Sequence, residues 1–128
     1  MNRALLLILL VFCSTSALAE KGPKTKITGM YSNLEYIEEA GDLVGIEIYV
    51  MGRGDGYVAV VQCAGGGPGD PVVTPVVISG AEISFKLPEG QDDCGTSFSG
   101  VVSKKGLRGR FVNEIKERWI PRRKGYWE

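Results

Sequence analysis

The chemistry open to this chain is bounded by a residue type it lacks. The sequence contains no histidine. That removes Ser-His-Asp and Cys-His nucleophile pairs, the commonest general base and most zinc sites. Carboxylates, lysines and tyrosines remain. Glu38-Glu39 and Asp92-Asp93 are adjacent acids. Neighbours on a strand point to opposite faces, so Glu38 and Glu39 do not share a site there. Asp92-Asp93 lies in loop sequence, where acids can meet a cation such as calcium. Without a defined ligand spacing, the plainer reading is two solvated loop acids. No catalytic residue, metal site or cofactor is expected, and the chain reads as a non-enzymatic protein.

The three cysteines are sorted by position. Cys13 belongs to an N-terminal segment with the layout of an export signal: Arg3, the apolar run Ala4 to Phe12, then Ala17-Leu18-Ala19 as a cleavage site. The run is too short for the roughly 20 residues that span a bilayer. No later segment is long and apolar enough to cross a membrane. Cleavage after Ala19 is expected, leaving 109 residues, one small domain, in the periplasm or outside the cell. A lipid-bearing Cys13 is the competing expectation, disfavoured by the bulky Phe12 before it. Cys63 and Cys94 then remain, an even number in an oxidising compartment, and are expected to form a disulfide. They lack the C-x-x-C spacing of a redox pair.

Three further motifs invite a functional reading. Arg53-Gly54-Asp55 spells an integrin-binding tripeptide at a hairpin tip, but Gly and Asp are also what a tight turn demands. Gly65-Gly66-Gly67-Pro68-Gly69 lacks the Gly-Lys-Ser/Thr ending of a phosphate loop. The C-terminal segment combines cations with aromatics at Arg118, Trp119, Arg122, Arg123, Lys124, Tyr126 and Trp127. It offers a surface for a protein or membrane, or it folds back over the domain with arginine stacked on an aromatic ring. Charge is uneven. Acids outnumber bases twelve to five from Glu20 to Ser103, and bases lead nine to three from Lys104 onward. Two halves that neutralise each other in the fold explain this without an external polyanion, and export argues against nucleic acid.

The elements that position these residues are short β-rich runs cut by turn residues. After a lead over 20–26, a single domain over 27–128 is expected. Its runs are Ile27 to Glu38, Leu43 to Met51, Tyr57 to Cys63, Pro71 to Ser79, Glu82 to Leu87, Thr96 to Ser103, Gly106 to Val112, and Glu117 to Pro121. Val44, Ile46, Ile48 and Val50 alternate with Gly45, Glu47 and Tyr49, the period of a half-buried strand. Ala64 to Asp70 is too glycine-rich for a regular element. Pro75 marks its strand as an edge or a bulge. About eight strands with short connections predict an antiparallel up-and-down meander that closes into a small barrel; a β-sandwich is the alternative. Gly100 and Gly109 lie within strands beside Phe98 and Phe111. They suggest a tightly curved sheet with aromatics packed on bare backbone.

Several segments together, from Gly29-Met30-Tyr31-Ser32-Asn33-Leu34 through Gly106-Leu107-x-Gly109-x-Phe111 to Pro121-Arg122-Arg123, resemble a group of small exported proteins of Gram-negative bacteria. That resemblance spans nearly the whole mature chain and implies no activity. More distantly, the plan is similar to lipocalin-like (calycin) barrels, which open with Gly-x-Trp and lay a basic residue from near the last strand over it. Gly29-x-Tyr31, with Arg122 or Arg123, matches that plan, with tyrosine in the place of tryptophan. Such likeness implies fold, not function.

Two functions are therefore expected. The first is a binding module holding a small apolar ligand inside the barrel. The second is a protein-binding module, such as an inhibitor of an envelope hydrolase. The processing step is testable by mass: the exported protein should begin at Glu20, and a lipid-modified Cys13 at the N-terminus would overturn this assignment.

Overall fold

A computed structural model describes residues 25–90, 94–123 and 126. The signal-like segment, Asp92-Asp93, Lys124 and Trp127 lie outside the described residues. The described chain is all-β, with no helix. Its strands are β1 (Gly29–Ser32), β2 (Glu35–Ile37), β3 (Asp42–Arg53), β4 (Gly56–Gly66), β5 (Val72–Ser79), β6 (Glu82–Lys86), β7 (Ser97–Val102), β8 (Gly106–Phe111) and β9 (Arg118–Pro121).

Each strand pairs antiparallel with the next along one sheet, in the order β1-β3-β4-β5-β6-β7-β8-β9, with β2 also on β3. β1 and β2 share one register on β3: Ser32 faces Glu47 and Glu35 faces Val44, so no residue is inserted between them. At Asn33 the side-chain Oδ1 accepts the Ile46 N–H at 2.8 Å, while the Asn33 N–H donates to the Ile46 carbonyl. Gly45 makes this possible. Its φ is +115°, and a Cβ there would lie 2.5 Å from the Asn33 carbonyl oxygen. The two segments are thus one strand with a local break, and the meander has the eight strands expected from the sequence.

The last strand returns to the first. One bridge joins Tyr31 to Arg122, and the Arg123 N–H donates to the Met30 carbonyl at 3.2 Å. The result is a nearly closed barrel with one seam not sealed by a full ladder.

Two local expectations are corrected. β4 runs on through Gly65 and Gly66, which pair with Val44 and Leu43, because an established partner strand overrides the weak propensity of glycine. β5 is not an edge, since it pairs with β4 and β6. The β5–β6 ladder stops at Val76, one residue short of Pro75. There the Thr74 hydroxyl donates to the Lys86 carbonyl at 2.7 Å, replacing the N–H that proline lacks.

Alternate residues of the strands other than β2 fill the interior. Tyr31, Ile46, Ile48, Leu107 and Ile120 are fully buried there. Phe85, Phe98 and Phe111 form an aromatic cluster. The Phe85–Phe98 rings stack at 5.0 Å, and Phe98 meets Phe111 edge-on at 5.2 Å. Gly100 and Gly109 face each other across β7 and β8. A Cβ on Gly109 would come within 2.5 Å of the Phe98 ring, so the ring does lie against bare backbone.

A second, smaller cluster of Leu34, Leu43 and Ala64 sits outside the barrel wall beneath Tyr126. Cys63, buried on β4, is bonded to Cys94 in the connection before β7, with 6.0 Å between Cα atoms. The bond ties two walls of the barrel together. Replacing both cysteines with serine should lower the unfolding free energy by about 3–4 kcal/mol, read by denaturant titration. Unchanged stability would mean that the bridge adds no constraint the sheet does not already impose.

Candidate functional site

The C-terminal segment divides into an inward part and an outward part. Arg122 leaves the end of β9 and lies over the Tyr31 ring, 4.6 Å from its centre. Its guanidinium donates to the Thr28 carbonyl at 2.8 Å, the Lys26 carbonyl at 2.6 Å and the Tyr31 hydroxyl at 2.6 Å. The Tyr31 hydroxyl in turn donates to the Ile27 carbonyl. Gly29 leaves room for this approach: a Cβ there would be 2.6 Å from Arg122 Nη1. Burial pushes the Tyr31 hydroxyl's pKa up, and the charge and hydrogen bond of Arg122 offset this only in part.

Arg123 donates to the Leu34 carbonyl at 2.6 Å. The Tyr126 N–H donates to Glu47 at 2.7 Å, which explains how an outward-facing glutamate on β3 comes to be buried. Arg122, Arg123 and Tyr126 are therefore gathered over the first strands. The signal for this return lay in Leu34 and Leu43, apolar residues on the outward face of their strands.

Trp119 faces outward, and Arg118 before it on β9 lies on the opposite face, toward the end of the barrel. Arg118 is paired with Glu114 and lies over the Phe111 ring at 5.8 Å. Glu114 also accepts the Phe111 N–H at 3.0 Å, which fixes the connection from β8 to β9. Desolvation is the largest single influence on the Glu114 carboxyl and raises its pKa. The hydrogen bonds from Arg118 and the Phe111 N–H, with the Arg118 charge, outweigh it and hold the carboxyl below the usual range. Ile115 is presented at the tip of this pinned turn, 93% exposed. Trp119, 42% exposed, stacks with Arg108 at 5.6 Å. Val101 and Val112 are exposed on the adjoining β7 and the end of β8.

The turn motifs acquire plain roles. Arg53 forms a two-pronged ion pair with Asp55 at 2.6 and 2.9 Å. The hydrogen bond from Arg53 holds the Asp55 carboxyl below its ordinary range. The two charged ends of the tripeptide thus satisfy each other. In the glycine-rich stretch, the Gln62 side chain donates to the Gly69 carbonyl at 2.9 Å, tethering the loop to β4.

The two best-formed clefts lie on the outer face of β5 to β8, about 570 and 530 Å³, and share Val77, Ser84, Ser99 and Arg110. Among the described residues there is no group of three or more Cys, Asp or Glu able to hold a metal ion, and no helix long and apolar enough to cross a membrane. Comparison with protein-family models, curated proteins and solved structures finds no match.

The closing contact can be tested by removing it from either side. Arg122→Met should cost about 2–3 kcal/mol, since three hydrogen bonds are lost and two backbone carbonyls lose a partner. Tyr31→Phe should cost less at neutral pH and should change the alkaline limb. With its pKa raised in the fold, Tyr31 contributes stability that is complete below the unfolded value near 10 and is lost as pH rises through the folded value. Denaturant titration from pH 7 to 11 should show that part of the decline missing in Tyr31→Phe.

Proposed function

We propose that this protein is an exported, non-enzymatic binding module that engages a protein partner through the outer face formed by β7, β8, β9 and the turn at 112–117. The observation that carries the proposal is Ile115, an isoleucine almost wholly in solvent on a turn held rigid by Glu114. A pre-ordered turn loses little entropy on binding, so an exposed apolar side chain there is placed to act as an anchor. The same outer face carries exposed Val112, Val101 and Trp119 with its stacked Arg108, and tryptophan and arginine are the residue types that most often dominate interface energies.

Support for a small ligand inside the barrel is weaker, because Tyr31, Phe85, Phe98 and Phe111 occupy that space. The basic aromatic tail is also a poorer contact than its composition suggests, since Arg122 and Arg123 are committed to the first strands. Export rests on the leader sequence. The non-enzymatic reading rests on the missing histidine and the lack of any catalytic spacing in the sequence.

The test compares immobilised wild-type protein with two variants in an envelope extract. A single dominant protein should be retained by wild type and by Tyr49→Glu, which alters the opposite wall. Ile115→Glu should weaken that retention about tenfold or more, the cost of burying an unpaired charge at an apolar anchor. Equal retention by all three would rule out this face.

A further inference from the structure

Beside this face runs a trough whose floor is made of serines. Ser84 on β6 and Ser97 and Ser99 on β7 point outward at positions flanked by larger residues. β5 raises one wall with Pro75 and Val77, and β8 raises the other with Arg110, followed by Val112. The floor strands are paired on both sides, so their backbone groups are already used. The side chains are not. The hydroxyls of Ser84, Ser97 and Ser99 and the guanidinium of Arg110 make no hydrogen bond or ion pair with another described residue. The end of the trough by Pro75 and Val112 holds two cations, Lys86 and Arg110, and no carboxylate, while the end by Val101 holds Arg108 with Glu82 and Glu117, neither of them ion-paired to Arg108 or Arg110 among the described residues.

Register sets the shape of an occupant. Val77, Ser84, Ser99 and Arg110 form one row across four strands. Two residues along in one direction, Lys86 and Ser97 lie between Pro75 and Val112. Two residues along in the other, Glu82, Val101, Arg108 and Trp119 form the next row. Rows two residues apart are about 6.6 Å apart, the spacing of alternate side chains in any extended peptide.

From this we infer that the trough binds an extended segment of the protein partner, with a carboxylate side chain over Arg110 and apolar side chains two residues to either side. The carboxylate meets Arg110 and the Ser99 hydroxyl in the middle row. One apolar side chain lies between Pro75 and Val112, and the other lies against Val101 and Trp119. The serine hydroxyls take the backbone polar groups of the segment, which no free strand edge is available to receive. This inference rests on the protein-partner reading and names the chemistry of the partner's contacting segment.

The probe is the peptide acetyl-Leu-Thr-Glu-Thr-Leu-amide, titrated into the full mature protein and followed by backbone amide NMR shifts. Saturable shifts are expected at Ser84, Ser97 and Ser99. The peptide with Gln in place of Glu should bind about tenfold more weakly, the scale of one charge-assisted hydrogen bond. In Arg110→Gln, with its amide spectrum otherwise unchanged, the two peptides should bind alike. No saturable shift at these serines, equal binding of both peptides to wild type, or an undiminished preference in Arg110→Gln would each overturn the inference. Tighter binding of sodium decanoate than of the Glu peptide at the same amides would also overturn it, assigning the trough to a small amphipathic acid. If the trough fails while an Ile115-dependent partner persists, the protein-partner reading stands and the contact lies wholly on the turn. Loss of that partner with intact peptide binding separates the two the other way.

Discussion

The barrel depends on an arginine that stands in for a missing ladder. Between β9 and β1 the sheet makes one bridge, bonded through the Arg123 N–H and the Met30 carbonyl. Arg122 carries the rest of the closure, covering the Tyr31 ring and donating to two carbonyls of the segment before the first strand. A guanidinium suits this position because its donors spread in one plane while its face stacks on an aromatic ring. A lysine would supply the charge without that fork. The requirement propagates outward: Gly29 must lack a side chain to admit the guanidinium, and the chain after β9 must run back across the first strands rather than away from them.

That return path divides the surface into two kinds. Over β1 to β4 the tail covers outward-facing side chains, burying Glu47 and sheltering Leu34, Leu43 and Ala64. Across the barrel, β5 to β9 receive no such cover. The trough of serines and the exposed apolar turn lie there, and Arg108 and Arg110 form no ion pair among the described residues. The proposed contact face is therefore the half of the barrel that the chain does not use to close itself.

The interior works against a ligand in the barrel for a geometric reason. Eight strands enclose a space only wide enough for side chains or one small molecule. Here three phenylalanines and a tyrosine take it, with Gly100 and Gly109 giving the Phe98 ring room beside the wall. The same glycines that let the sheet curve tightly also let large rings fill it.

By itself, the sequence determined the strand content, the meander and the disulfide. These follow from period-two alternation, turn residues and cysteine parity, all of which act over short separations or simple counts. It offered Arg122 or Arg123 as the basic residue over Gly29-x-Tyr31 without deciding between them. Tertiary structure decided the rest. Gly65 and Gly66 became strand because β3 was there to pair with them, and Pro75 entered an interior strand because Thr74 supplied its hydrogen bond. Trp119 and Arg122 are three residues apart and similar in promise as contact residues, yet one faces solvent and the other closes the barrel. Their fates diverge because closure brings Arg122 onto a strand some ninety residues earlier in the chain, a separation over which no local pattern reports.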